Sequence, residues 1–313
     1  MRVIVLTFLA MIAFASNSLL CRAALKQTTI DPATFTFVRI FSGALALWLI
    51  VTPRGRFQRE TLLPLPQSSL GGRGGPFSLR DKVGIRATGN WISAIALFVY
   101  AAGFSFAYVD LSAGTGALLL FGAVQATMIL WAFYKGERLD AIQVVGFIIA
   151  IAGLIVLVFP GISAPPPIAS NLMLAAGIAW GVYSLRRKVR AGLAIDAITA
   201  TSGNFVRAVP FAAALSVAML AWIHFDRLGF FYAVISGAIT SGLGYVIWYA
   251  ALPGLKAASA ATVQLSVPVL AATGGILLFG EAITLRYLIA LIAVLGGIFL
   301  VVIEKTSRSK DQQ

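Results

Sequence analysis

The chain has 313 residues, 59% of them hydrophobic and only 11% charged, with a formal net charge of +13. A soluble domain carries about 25% charged residues, so this chain has too little polar surface to cover a water-soluble fold. Its single cysteine, Cys21, excludes an internal disulfide, and the positive excess that would suggest nucleic acid in a soluble protein fits Lys- and Arg-rich cytoplasmic loops here.

A helix needs roughly 20 apolar residues to cross the hydrocarbon core of a bilayer. Ten stretches meet or approach that length: 3–21, 33–51, 91–109, 112–134, 141–159, 168–185, 197–219, 229–250, 257–279 and 287–303. The first follows Arg2 and has the composition of a signal peptide. Nine apolar stretches follow it, and Leu20 stands where a lipoprotein signal would place a small residue, so it is expected to be a retained span. Asp31-Pro32 opens the second span. The connection 52–90 carries Pro53, Pro64, Pro66 and Pro76 and the run Gly71-Gly72-Arg73-Gly74-Gly75, and is expected to be a basic cytoplasmic loop. It lacks the preceding strand and the Gly-Lys-Ser/Thr ending of a phosphate-binding loop, which excludes a nucleotide site there. Lys135-Gly136-Glu137-Arg138 separates the fourth span from the fifth, and Pro160-Gly161 with Pro165-Pro166-Pro167 separates the fifth from the sixth. With a cytoplasmic N-terminus, 18 of the 24 Lys and Arg residues fall in inner connections. Only Arg22, Lys26, Arg227 and Arg286 fall in outer ones, while Arg39 and Arg207 lie inside spans. That asymmetry places both termini in the cytoplasm.

The second half of the chain echoes the first. Gly136-Glu137 matches Gly280-Glu281 at a spacing of 144 residues, and Gly153 matches Gly297. Phe37-Val38-Arg39 matches Phe205-Val206-Arg207, and Leu6, Ala10, Ile12, Ala13, Ser18 and Leu19 match Leu172, Ala176, Ile178, Ala179, Ser184 and Leu185. Five spans per repeat is an odd number, so the second copy must be inverted relative to the first. The expected fold is an all-α polytopic membrane protein of ten transmembrane helices in two inverted five-helix repeats: 1–160, 161–305 and a cytoplasmic tail 306–313. Inverted repeats are a common transporter architecture, with the substrate site near the midplane between the halves.

Four features carry a family likeness: Asp31-Pro32 through Arg39, Gly136-Glu137-Arg138-Leu139 after the fourth span, Gly280-Glu281 after the ninth, and Pro268 thirteen residues before Glu281. In this order and duplication they resemble the drug/metabolite transporter superfamily, specifically its EamA-type ten-span transporters. Val124 occupies the first-half position that matches Pro268, so the fourth span is expected to lack that kink. The resemblance implies export or import of metabolites such as amino acids, sugars or nucleosides, and leaves the substrate open.

The candidate substrate-binding residues are the polar and aromatic side chains that fall within spans. Arg39 and Arg207 are costly in a bilayer and must face a cavity or partner, or snorkel to the interface; they can contact an anionic substrate group or anchor helix ends. Asn17 and Asn204 can line a cavity or bond across helices. Gln125 lies near the middle of the fourth span and Gln264 in the inner part of the ninth. Pro268 removes the backbone bond to residue 264 and frees a carbonyl, marking the ninth span as a cavity wall or a packing kink. Tyr100 and Trp180 are midplane aromatics suited to a pocket or to a core, and Tyr245 is ambiguous. Trp48, Trp91, Trp131, Tyr134, Trp248 and Tyr249 are expected in the inner interfacial belt. Glu137 and Glu281 are expected to cap the helix that follows each break. His224, beside Asp226 in an outer loop, is weak evidence for catalysis or metal binding.

All eleven acidic residues fall in loops or at span ends. Proton-driven carriers usually keep an ionisable group within the membrane, so uniport or exchange is expected. The reading is a secondary transporter, in either direction, of an amino acid or related polar or amphipathic solute. It needs no cofactor or metal and binds no nucleic acid; it sits in the inner membrane and leaves a homodimer open. An intramembrane lipid-processing enzyme would require clustered Asp, His or Glu, and a channel or scaffold subunit a continuous polar stripe. The spans carry neither.

Overall fold

The computed structural model describes residues 1–61, 89–136, 140–161, 164–188, 194–255 and 257–311. Among the described residues every regular element is helical. The first half comprises α1 (Arg2–Gln27), α2 (Pro32–Thr61), α3 (Trp91–Ala107), α4 (Ala113–Tyr134) and α5 (Ala141–Val158). The second comprises α6 (Pro167–Lys188), α7 (Ala194–Ala218), α8 (Arg227–Ile235), α9 (Gly244–Ala251), α10 (Ala257–Gln264), α11 (Ser266–Phe279) and α12 (Leu285–Asp311). Eight helical stretches are long and apolar enough to cross a membrane, the stretch 227–254 that contains α8 and α9 counting as one. Helix α3, at 17 residues, is a shorter apolar helix. Helix α7 carries Arg207 and an internal Pro210 and is not among the eight.

Capping side chains decide where the helices begin. Asp31 Oδ1 accepts bonds from the amides of Ala33 and Thr34, and Pro32 takes the first helical position, where a missing N–H costs nothing. Asn90, Ser112 and Asp226 cap α3, α4 and α8 in the same way, and Asp140 with Gln143 forms a reciprocal capping box on α5. Gly280 ends α11 in the left-handed region, at φ 64°.

Two helices depart from regular geometry. The ninth predicted span is broken at Leu265, between α10 and α11. Pro268 has no N–H to give to the Gln264 carbonyl four residues back, and the helix breaks at this point, whereas α7 continues through its own Pro210. The equivalent first-half helix, α4, carries Val124 at that register and runs unbroken from Ala113 to Tyr134. Between α8 and α9 the chain forms a π-helical segment, Ser236–Leu243. Its Gly237 lies so close to α2 that an added Cβ would meet the Arg39 carbonyl and the Ser42 hydroxyl at 2.1 Å.

The helices pack in definite pairs. Helix α2 lies against α7, α3 against α6, α4 against α6 and α11, and α1 against α8, α9 and α11. Helices α5 and α12 form the most extensive pair. Their contact is backbone to backbone: a Cβ at Gly146 would sit 2.6 Å from the Gly297 carbonyl, and one at Gly297 would sit 2.4 Å from the Gly146 carbonyl. Small residues permit this approach. Large apolar side chains elsewhere are exposed, among them Ile4, Phe8, Ile148, Leu277 and Ile292, as on a surface facing lipid. Of the six expected belt aromatics, Trp48, Trp91, Trp131 and Tyr134 lie exposed.

The glycine contact yields a paired test. Gly297→Ala should lower the thermal midpoint of the detergent-purified protein by several degrees, as expected of overpacking that costs about 1–3 kcal/mol. Gly296→Ala meets nothing within 4 Å and should leave the midpoint unchanged.

Candidate functional site

Six of the predicted residues meet at one cavity of about 320 Å³: Asn17 from α1, Tyr100 from α3, Gln125 from α4, Trp180 from α6, Tyr245 from α9 and Gln264 from α10. Helices of both halves therefore build its wall.

The polar side of the cavity is organised around Asn17, which is buried. Its Oδ1 accepts bonds from the hydroxyls of Ser236 at 2.7 Å and Thr240 at 3.2 Å, both in the π-helical segment. Its Nδ2 donates to the Tyr100 hydroxyl at 3.4 Å. The same hydroxyl accepts a bond from Arg39 Nη2 at 2.9 Å. Arg39 is 2% exposed and does not itself line the cavity; it lies behind Tyr100 and Phe104, with Cζ 5.2 and 4.8 Å from their ring centroids. Its Nη1 has no partner among the described residues. The widened turn of the π-helix brings Ser236 and Thr240 onto Asn17. Such segments are rare and concentrate at functional sites.

The apolar side is an aromatic stack. Trp180 packs on Tyr100 at 4.7 Å and on Tyr183 and Tyr245 at 5.2 Å, centroid to centroid. Phe14 packs on Tyr245 and Trp248 at 5.9 and 6.0 Å. Trp248 and Tyr249, expected in the interfacial belt, are instead buried and line the cavity. The π-helical segment shifts the register of α9, so a depth counted from the span end misplaces them. Phe14, Phe104 and Thr240 also line the wall and were not singled out from the sequence. Hydroxyls and isolated aromatics in apolar runs carry little signal alone. The run of small residues around Gly237 is the trace that could have marked the π-helical segment.

From this core the cavity extends to Ser184 and to Leu252 and Leu255 in the α9–α10 connection. At the opposite end of the bundle the two halves are tied together. The Arg22 guanidinium pairs through Nε with Glu281 Oε1 at 3.0 Å and donates to the carbonyls of Tyr108 and Val109 at 3.1 and 3.0 Å. Glu281 Oε2 accepts the Ala113 amide at 2.8 Å. The expected role of Glu281 is thus corrected: it serves the N-terminus of α4, far away in sequence, and not the helix that follows it. Gly280 turns the chain so that the carboxylate points back across the bundle. Glu137 lies outside the described residues. A second cavity of about 220 Å³ lies against Glu281, around Asp110, Thr284 and Tyr287.

Asn204 and Arg207 lie away from the cavity. Asn204 accepts the Asn90 amide at 2.8 Å and donates to the Tyr183 hydroxyl at 3.4 Å, joining α7 to α3 and α6. Arg207 donates to the Gly203 carbonyl and lies 6.0 Å from the Trp91 ring. His224 bonds the Trp222 carbonyl, and its backbone amide reaches Asp31, so it belongs to a loop contact.

Among the described residues the chain is a helical bundle with eight stretches able to cross a membrane and an amphipathic cavity between its helices, the build of a multi-pass membrane protein. The chain belongs to the EamA-like transporter family, whose model matches residues 1–159 and again 168–303. An uncharacterized protein of Pseudomonas aeruginosa is 48% identical over 308 residues, 98% of this chain and 97% of that one. An uncharacterized transporter of Archaeoglobus fulgidus is 29% identical over 197 residues, 62% of this chain and 69% of its own length. A solved crystal structure shares the fold with a TM-score of 0.59 at 17% identity, over 96% of this chain and 97% of that one.

The native thiol allows a direct check of which walls meet water. Cys21 is fully buried and should resist a hydrophilic maleimide until the protein is denatured. Ser184→Cys, on the cavity wall, should be labelled in the native protein. Equal labelling of both sites would contradict the cavity described here.

Proposed function

We propose that the protein is a secondary carrier that moves a small amphipathic metabolite, such as an amino acid or a related solute, by alternating access between two inverted five-helix repeats. The observation that carries this reading is the cavity itself. It is walled jointly by α1, α3 and α4 of one half and by α6, the π-helical segment, α9 and α10 of the other, and an ion pair ties the halves together at one end of the bundle.

The packing scheme supports a two-fold relation between the halves, which five spans per half would make an inversion. Exchanging the halves turns the α3–α6 pair into α1 with α8 and α9, the α4–α6 pair into α1–α11, and the α3–α7 pair into α2–α8, all of which occur. The α2–α7, α4–α11 and α5–α12 pairs exchange into themselves. The two separate family matches, 1–159 and 168–303, divide the chain at the same place. A ten-crossing topology also puts contacting ends on one side: residue 31 meets 224, Arg22 meets Glu281, and Arg286 meets the Phe159 carbonyl. At the other side Gln143 bonds the Val301 carbonyl. With the termini in the cytoplasm, the conformation described is tied together on the outside and reaches toward the cytoplasm.

In this cycle a solute enters from the side of Leu252 and Leu255 and displaces water from the amides of Gln125 and Gln264. Rocking of the halves then breaks the Arg22–Glu281 contact and opens the cavity toward the second one beyond it. The break at Leu265 supplies a hinge beside Gln264. No carboxylate lines the main cavity among the described residues, which favours uniport or exchange over coupling through a carboxylate.

The test uses the ligand that most raises the thermal midpoint in a metabolite panel, because binding to the folded state alone stabilises it. In proteoliposomes, Gln264→Ala should lower uptake kcat/KM for that ligand about two- to tenfold, as for one lost hydrogen bond of ~0.5–1.5 kcal/mol, with folded yield unchanged. Uptake should persist without an imposed proton gradient. Unaltered kinetics would remove Gln264 from the site, and strict dependence on the gradient would refute carboxylate-independent exchange.

A further inference from the structure

We infer that the solute taken by this cavity is an anion, a carboxylate head on an apolar body, and that Arg39 selects it through the Tyr100 hydroxyl. The inference rests on the carrier reading of the cavity and names its substrate class.

Charge sets the sign. Arg39 is a buried cation directly behind Tyr100 and Phe104 of the cavity wall, and no carboxylate pairs with it among the described residues. Its titratable neighbours are Tyr100, Tyr245 and Cys21, all neutral in their protonated forms. A buried guanidinium is normally compensated by an anion, because an unpaired charge in a low-dielectric interior is strongly disfavoured. Here compensation comes from one phenolic oxygen at 2.9 Å and from two aromatic rings, and Nη1 is left without a partner. The structure therefore keeps a net positive charge directly behind the cavity wall and supplies no internal anion to cancel it.

Hydrogen bonding sets the contact. A phenol has one proton and two acceptor lone pairs. Tyr100 accepts from Arg39 Nη2 and from Asn17 Nδ2, which uses both acceptor positions. Its proton is then free to point at the cavity or at the neighbouring Tyr245 hydroxyl, whose own proton would take that place. In both cases a hydroxyl proton polarised by the guanidinium ends at the cavity wall. A carboxylate accepts such a proton in a charge-assisted bond, stronger than the bond to a neutral amide oxygen. The Asn17 carbonyl already accepts the Ser236 hydroxyl at 2.7 Å, while the single Thr240 proton lies nearer the Ser236 carbonyl, at 2.8 Å, than Asn17, at 3.2 Å.

The wall excludes the opposite class. A cage of Trp180, Tyr245, Phe14 and Trp248 could hold an organic cation by its ring faces. Arg39 already lies over two rings of the wall, Tyr100 and Phe104, and a second cation would be repelled by the first. The aromatic stack is left to hold the apolar body.

The experiment uses the full-length protein in detergent and three probes of matched shape: phenylacetate, phenylacetamide and phenethylammonium. Phenylacetate should raise the thermal midpoint and bind at least about tenfold tighter than the amide, the scale of one charge-assisted bond, while the ammonium should bind most weakly. Tyr100→Phe keeps the ring and its packing, and should bring phenylacetate down to the level of the amide. Arg39→Gln should do the same; if that variant does not fold, Tyr100→Phe decides. Equal or tighter binding of the amide or the ammonium overturns the anion assignment while leaving a ligand-binding cavity in place. Binding of none of the three overturns it too, and so does a Tyr100→Phe protein that keeps the preference. The carrier reading fails separately, if the Gln264→Ala protein transports the panel ligand unchanged.

Discussion

In a bilayer every polar group that leaves water must find a partner inside the protein, and the bond from Arg39 to Tyr100 is where this constraint presses hardest. A guanidinium from α2 is held by a phenol of α3, which is held in turn by an amide of α1 that takes its own bonds from the π-helical segment of the other half. Four elements, from α1 to the π-helical segment more than 200 residues on, are joined by one chain of hydrogen bonds. The aromatic stack around Trp180 fills the remaining wall and makes the site amphipathic. Because the network crosses between the halves, the geometry of the cavity depends on their relative position. A carrier requires that property.

The fold was largely legible because a lipid environment writes strong rules into sequence. Apolar runs of helical length and the start signal Asp31-Pro32 located the helices, often to within a few residues; the caps Asn90, Ser112, Asp140 and Asp226 emerged only from the structure. Pro268 marked the broken helix, and Val124 the unbroken one, because the loss of one backbone bond has a local consequence. The polar residues inside spans also signalled the site: Asn17, Tyr100, Gln125 and Gln264 had few places to go except a cavity or one another.

What escaped the sequence depended on three-dimensional register. The π-helical segment rotates α9, so Trp248 and Tyr249 turn from an expected interfacial belt to the cavity wall. Glu281 was correctly marked as a partner for free backbone donors, but those donors belong to α4, and nothing in the local sequence names so distant a partner. Arg207 matches Arg39 in the Phe-Val-Arg repeat, and Asn204 shares a helix face with Arg207, yet they tie α7 to α3 and α6 and to the edge of the bundle. The repeat is therefore asymmetric in use, with one arginine behind the cavity and the other away from it. Divergence of two copies around a shared scaffold would leave this pattern.

The same division of labour sets the ends of the bundle apart. One end is tied by Arg22, Glu281 and the α3–α4 turn, and the other carries the connection through which the cavity reaches the protein surface. The pair is largely buried, with side chains 11% and 14% exposed, and it joins residues of the two halves, so breaking it leaves both charges in need of new partners. The most direct measurement joins the two sides of that pair. With Arg22→Cys and Glu281→Cys in one chain, a short bifunctional thiol cross-linker should abolish transport in proteoliposomes while leaving ligand binding intact, and a cleavable linker should restore transport on reduction. Undiminished transport by the fully cross-linked protein would contradict a cycle in which that end must open.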